Sequence, residues 1–360
     1  MAPPTIAITG ASGKLGGATF SALLSHSLAP PASMIALTSS HPSSATWTAL
    51  ASAARGVQVR HASYDEPVES FAEALRGVDR LFLVSTPRVA LDFDDAKAGG
   101  REMHHKVAID AAVMAGVGRV YYSSLAFGFD GKRARVKGGG DEEDGIDAEE
   151  EEGVTKGTTN HSKAGVMRAH LRTEAYLREC SVKHGLGVTV LREGLYNESW
   201  PLYLGYFAPS GRDDDRAVVP LAGDGRICWT AIKDLGIASA VVLAASGEDD
   251  VYRGRTFYLS TRPRTARSMK EIAAMVGRAR GREVRVEVVG RKEHERYYVQ
   301  ERGLDRAAVE WWASTYEAME EGECLIDDPT LERLLGSVGV TATPVEETVA
   351  AMVKGGTETG

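Results

Sequence analysis

One segment constrains this chain more than any other. A continuous apolar strand, Thr5-Ile6-Ala7-Ile8-Thr9, runs without a linker into Gly10-Ala11-Ser12-Gly13-Lys14-Leu15-Gly16, and helical spacing begins at Leu15. A buried strand that ends in glycines and opens a helix is the first βα unit of a parallel sheet. Glycines at 10, 13 and 16 permit the tight turn and let backbone N–H groups approach an anion. The helix N-terminus adds its dipole, so the turn suits a pyrophosphate. Gly10, Ser12, Gly13, Lys14, Leu15 and Gly16 are therefore candidate cofactor-binding residues; for Lys14 a solvated surface position is the plain alternative.

The same alternation continues. Strands are expected at 34–37, 57–59, 80–84, 119–123, 188–192 and 256–260, with helices at 15–24, 71–75, 104–115, 163–184 and 234–245. That order predicts an α/β fold, a Rossmann-type doubly wound parallel sheet. From Ser268 to Lys354 the pattern is mainly helical, with one strand at 284–288, which predicts a smaller C-terminal lobe over the sheet. The expected division is 1–262 for the dinucleotide-binding domain and 263–360 for the lobe. Residues 130–159 are glycine-rich, then acidic, and nearly empty of large apolar side chains. Such a segment buries too little surface to offset its ordering entropy and reads as a disordered surface insertion.

Composition excludes several functions. The net charge of −8 is concentrated in the insertion: residues 141–152 hold nine acidic and no basic side chains, and without them the chain stands at +1. No nucleic-acid-binding face is implied. Cys180, Cys228 and Cys324 are odd in number and far apart, which fits buried thiols in a reducing compartment and neither a disulfide framework nor a metal site. Apolar runs are strand-sized, so no membrane span is expected, and no secretory signal is read at the N-terminus. The expected location is the cytoplasm, with the nucleus left open.

Cofactor choice is read at the end of the second strand. A carboxylate there would accept from the ribose 2′-hydroxyl of NAD(H). Here Thr38-Ser39-Ser40-His41 offers hydroxyls and an imidazole, with no carboxylate before Asp65. A 2′-phosphate suits Thr38, Ser39 and His41, with Lys14 in reach, so NADP(H) is favoured over NAD(H). Thr86 and Pro87, ending the fourth strand, and Ser123, near the end of the fifth, are expected beside the nicotinamide half of the cofactor.

Further motifs carry a resemblance. They are the turn with its strand, Ala111-Ala112-Val113-Met114-Ala115-Gly116-Val117 before Val120-Tyr121-Tyr122-Ser123-Ser124, His170-Leu171-Arg172-Thr173-Glu174, and Leu191-Arg192-Glu193-Gly194-Leu195-Tyr196-Asn197-Glu198. With Asp234-Leu235-Gly236 and Leu331–Gly336 they resemble the NmrA-like and NAD(P)H:quinone oxidoreductase-like branch of the atypical short-chain dehydrogenase/reductases, across nearly the whole chain outside the insertion. The resemblance implies the Rossmann fold, a bound dinucleotide and a serine at Ser124. It also exposes a departure. Setting Glu174 on the family's helix glutamate puts His170 at the superfamily's lysine position and Val166 at its tyrosine position. Lys163 has Thr159 four residues before it, so it does not restore the Tyr-x-x-x-Lys pair.

Valine transfers no proton, which argues against ordinary alcohol–ketone chemistry. His170 and Ser124 remain the candidate catalytic residues. His170 is expected either to hydrogen-bond a ribose hydroxyl or to protonate a reduced substrate near neutral pH, a helix histidine satisfied by a neighbour being the plain alternative. Tyr196, Asn197 and Trp200 are expected as walls of a substrate pocket. Two functions fit: an NADPH-dependent reductase of a quinone or similar flat acceptor, and a non-catalytic NADP(H)-sensing regulator acting through a protein partner. A reductase or isomerase of secondary metabolism is a third. Fold alone does not separate them.

Overall fold

A computed structural model describes residues 3–86, 100–132, 154–208, 213, 215–245 and 251–355. Seven strands form one parallel sheet: β1 (Ile6–Ile8), β2 (Met34–Thr38), β3 (Gln58–His61), β4 (Arg80–Leu83), β5 (Arg119–Leu125), β6 (Gly187–Glu193) and β8 (Thr256–Leu259). Their order is β3-β2-β1-β4-β5-β6-β8. In every described pair the strands run parallel, and Ile6 of β1 lies in register with Met34 on one side and Arg80 on the other. The order reverses between β1 and β4, and a doubly wound sheet opens its binding crevice at the carboxyl ends of such a pair.

Helices cover both faces, as parallel strands that are apolar on both sides require. On one face lie α1 (Lys14–Ser25), α7 (Ile232–Ala244) and α11 (Thr330–Ser337), joined to the sheet through Leu23, Leu235, Leu243, Leu334 and Leu335. The helices α1 and α7 approach closely because Gly236 faces Ala18, where a Cβ on residue 236 would stand 2.6 Å from the alanine Cβ. On the other face lie α3 (Val68–Ala74), α4 (Arg101–Met114) and α5 (Gly165–His184), packed through Phe71, Ile109, Ala112 and Leu177.

A second core gathers the C-terminal lobe around Trp200, Phe207, Trp312 and Tyr316. It comprises α6 (Trp200–Tyr203), α8 (Met269–Arg280), α9 (Arg291–Arg296), α10 (Arg306–Glu320) and α12 (Val345–Gly355). The helix α8 begins on a capping box between Ser268 and Glu271, which satisfies two of its open N–H groups. A two-stranded parallel sheet, β7 (Val218–Leu221) with β9 (Arg285–Val288), completes the lobe. The expected strand at 284–288 is thus found, and its partner is one the sequence reading had not picked out, as it had not α2 (Ala45–Ser52).

Residues 133–153, most of the expected insertion, lie outside the described residues. Its flanks are built into the fold: Phe129 bridges Thr158, Val154 bridges Thr256, and the Thr155 hydroxyl donates to Asp328 at 2.9 Å.

Candidate active site

At the switch point a cleft of about 970 Å³ opens along the carboxyl ends of the strands. Its floor at one end is the glycine turn, with Thr9, Gly10, Ser12, Gly13, Lys14, Leu15 and Gly16 all in the wall. Gly10 has φ +59°, the left-handed region where a side chain is strained, and a Cβ on Gly16 would stand 2.3 Å from the Gly10 carbonyl oxygen. That separation closes the turn onto the first turn of α1. The N-terminus of α1 has no side-chain cap and no acidic residue in its first turn, so its open N–H groups face the cleft end as an anion seat.

The ends of β2 and β3 form the next wall. Thr38 and Ser39 line it, with the Thr38 hydroxyl 3.5 Å from Ser12 Oγ and accepting from the Ser40 N–H at 3.1 Å. Ala62, Ser63, Tyr64 and Asp65 stand opposite. His41 is not in this wall: it is exposed, and its Nδ1 is 2.7 Å from Ser43 Oγ. The imidazole is held within its own loop, where Nδ1 also accepts from the Ser43 N–H at 3.2 Å.

Deeper in, the ends of β4 and β5 bring Ser85, Thr86, Ser123 and Ser124 to the cleft. Ser123 Oγ accepts from the Ser85 N–H at 2.9 Å, and the Thr86 hydroxyl lies 3.0 Å from His104 Nδ1. Pro87 lies outside the described residues. The Ser124 proton is already committed: its hydroxyl donates to Glu174 Oε1 at 2.6 Å. Glu174 is itself fully buried and paired with buried Arg192, through Nε at 3.1 Å and Nη2 at 2.8 Å. Arg192 also donates to the Thr159 carbonyl and the Tyr258 hydroxyl, both at 3.1 Å. This is a satisfied structural network, and it ties Ser124 to holding β5 against α5.

His170 lies on the cleft side of α5, one turn beyond Val166, and both line the cleft. Its Nδ1 is 2.8 Å from the Tyr122 hydroxyl and its Nε2 3.5 Å from Arg101 Nη1. The Tyr122 hydroxyl in turn lies 3.2 Å from His105 Nδ1, which is 2.9 Å from Thr173 Oγ1. Burial, aided by the Arg101 charge, holds both His170 and His105 well below the usual imidazole range. His170 is therefore neutral at pH 7 and is not an imidazolium acid. Burial likewise pushes the Tyr122 phenol well above its usual value.

The far end of the cleft is apolar: Leu125, Val166, Leu195, Tyr203 and Trp311, with Tyr196 and Ser199. Tyr196 is in this wall, its hydroxyl donating to Glu193 Oε2 at 3.2 Å. Asn197 and Trp200 are not. After Tyr196 the chain enters a 3-10 turn, Asn197–Ser199, which swings both side chains out of the cleft. Asn197 is buried and donates to the Thr343 carbonyl and Thr348 hydroxyl at 3.3 and 3.1 Å. Trp200 is fully buried in the core of the lobe beside Phe207. Lys163 points elsewhere, to Glu317 and Glu321 at 3.3 and 3.5 Å.

Sequence reasoning missed Arg101, His105 and Tyr122. A usable signal existed for part of the network: in His170-Leu171-Arg172-Thr173-Glu174, the histidine, threonine and glutamate all face β5 and α4, and each takes a polar partner there.

The chain is similar to known proteins in sequence and fold. Residues 3–136 match the model of the NmrA-like family. An NmrA-like family domain-containing oxidoreductase of Aspergillus flavus is 29% identical over 336 residues, 91% of this chain and 89% of that one. An NADPH-dependent quinone oxidoreductase of Escherichia coli, solved with NADPH, superposes with a TM-score of 0.69 at 25% identity, covering 96% of this chain and 99% of the other. Triphenylmethane reductase of Citrobacter sp., solved with NADP(H), gives 0.68 at 25% identity with the same coverage.

Proposed function

We propose that this chain, NmrA-like over residues 3–136 and Rossmann-type in fold, is an NADPH-dependent reductase of quinones or similarly flat conjugated acceptors. The observation that carries the reading is one continuous cleft. It joins the glycine cradle to an apolar wall of Leu125, Val166, Tyr203 and Trp311, with neutral His170 between them. The likeness to oxidoreductases and to structures solved with NADPH or NADP(H) supports it.

The residues fit the cofactor. The tight approach of Gly16 to Gly10 and the uncapped α1 terminus would hold the pyrophosphate. Thr38, Ser39 and Lys14 would hold a 2′-phosphate, and no carboxylate stands at the end of β2 to prefer a free ribose hydroxyl. Thr86, Ser123 and His170 would border the nicotinamide half. When bound, the reduced nicotinamide would supply a hydride. The protein's part is orientation: Trp311, Tyr203 and Val166 set a flat ring against the cofactor and exclude water from that wall. Val166 removes the tyrosine acid, which a quinone reduction does not need, because its product oxygen takes a proton from water.

Mixing purified protein with NADPH and a panel of small quinones, while following the absorbance of the reduced nicotinamide, tests the reading. Quinone-dependent consumption is expected, faster with NADPH than with NADH. Tight NADPH binding without consumption above background would refute turnover and leave a sensor that acts through a protein partner.

A further inference from the structure

The short helical stretch that follows β6, the 3-10 turn Asn197–Ser199 running into α6, has two faces. Asn197 and Trp200 are buried toward the lobe. Tyr196, Ser199 and Tyr203 line the cleft instead. Their spacing of three and then four residues is that of one helical face. All three carry a hydroxyl, and they sit in the cleft end whose other walls include Leu125, Val166 and Leu195. Trp311 adds no polar group to that end, because its indole nitrogen is sealed from solvent without a partner.

The three hydroxyls are not equivalent. That of Tyr196 is bound to Glu193. Ser199 stands at the N-cap of α6, where a serine ordinarily accepts from the helix backbone, yet its side chain makes no cap bond. Tyr203 is only 6% exposed. Its ring packs at 73° to that of Trp229, centroids 5.8 Å apart, and its backbone carbonyl accepts from the Tyr316 hydroxyl at 2.5 Å. Among the described residues neither the Ser199 nor the Tyr203 hydroxyl has a hydrogen-bond partner, and neither oxygen is sealed from solvent. A buried tyrosine ordinarily finds a partner for its hydroxyl. Here the ring is fixed, and what is open of it belongs to the cleft wall. Burial also raises the Tyr203 phenol above its usual range, so it stays protonated. Like Ser199, it can donate to a carbonyl or accept from a hydroxyl.

We propose that Ser199 and Tyr203 read an oxygen on the acceptor, at the end of its ring system remote from the glycine turn. This rests on the reductase reading above and narrows its substrates. Fused-ring quinones that carry a carbonyl or hydroxyl oxygen at the far end are favoured over those that end in bare hydrocarbon. The apolar walls grip both kinds alike through buried area. The hydroxyls separate them, because an acceptor without the oxygen covers both groups and leaves them unpaired.

The test titrates 2-naphthol and naphthalene, which differ by one ring oxygen, into protein loaded with NADP+, with binding followed by ligand fluorescence. 2-Naphthol is expected to bind about fivefold tighter, the size of one ordinary net hydrogen bond. Tyr203→Phe keeps the ring and removes only the hydroxyl, and should cut that preference to less than about twofold. Ser199→Ala should lower it in part. Neither hydroxyl bonds the protein, so both variants should keep the parent's unfolding midpoint and bind NADP+ within threefold of it. In turnover the same preference is expected in kcat/KM for 6-hydroxy-1,4-naphthoquinone over 1,4-naphthoquinone, and Tyr203→Phe should reduce it. Equal binding of the two ligands, no 2-naphthol binding at millimolar concentration, or a preference that survives both substitutions would overturn the inference. A 2-naphthol preference in a protein that consumes no NADPH would keep the hydroxyl pair and remove only the reductase reading. Quinone turnover with no preference would do the reverse.

Discussion

Replacing Gly16 with alanine tests the cradle at its tightest point. The added Cβ would stand 2.3 Å from the Gly10 carbonyl oxygen and 2.7 Å from both the Gly10 carbonyl carbon and the Thr9 oxygen. All three are backbone atoms, so no side chain can rotate away. Ordinary contact needs about 3.5 Å, so the start of α1 must move by about 1 Å relative to the strand end. N–H···O bonds to a pyrophosphate are lost over such a shift. Each hydrogen bond to a charged group contributes ~1.5–3 kcal/mol. Losing one or two weakens NADPH binding by roughly 2–4 kcal/mol, about 30- to 1,000-fold. Gly13, whose Cβ would lie 3.1 Å from the Gly10 oxygen, should tolerate alanine better. The assay is calorimetric titration of NADPH into each variant, with thermal unfolding run in parallel to show that the fold is retained. A folded Gly16→Ala protein that binds NADPH within threefold of the parent would refute the cradle.

Other expectations come from the buried polar groups. His294, enclosed by Tyr298, Trp312 and Tyr316, is held down to about 4 by burial. A lowered histidine contributes stability above its unfolded pKa, lost as pH falls from 6.5 toward 4, so His294 should remove about 2 kcal/mol between pH 7.5 and pH 5. His294→Phe, compared with the parent by urea unfolding at both pH values, should lose that much of the pH dependence; an unchanged slope would be a failure. Ser124→Ala removes a donor to a buried carboxylate and should destabilise by ~1.5–3 kcal/mol, with kcat changed less than threefold. A hundredfold fall in kcat without loss of stability would instead return Ser124 to the chemistry. Glu174→Gln leaves the buried Arg192 charge without its partner and should cost ~3–5 kcal/mol, read as a fall in the denaturant midpoint.

The sheet was legible in the sequence because buried parallel strands are continuous apolar runs, and the first five of the seven follow one another at βα spacing. The short β7 was not, since Val218-Val219-Pro220-Leu221 carries a proline and gains its identity only from β9, more than sixty residues on. The glycine turn was legible because its constraint is local: residues 10 and 16 touch through backbone. The interior of the site is non-local. Arg101, Tyr122 and His170 meet from α4, β5 and α5, and no spacing within one element marks them. Asn197 and Trp200 were misplaced for a related reason. Their neighbour Tyr196 does face the cleft, and the 3-10 turn that redirects the next residues is set by contacts to Thr343 and Thr348, far away in the chain.

A crystal structure of the NADP+ complex tests the central claim most directly. The pyrophosphate is predicted on the N–H groups of Gly10–Gly16, the 2′-phosphate beside Thr38 and Ser39, and nicotinamide C4 facing the space between Arg101, His170 and Val166. A nicotinamide turned away from that space, or a dinucleotide bound outside the glycine turn, would contradict the account.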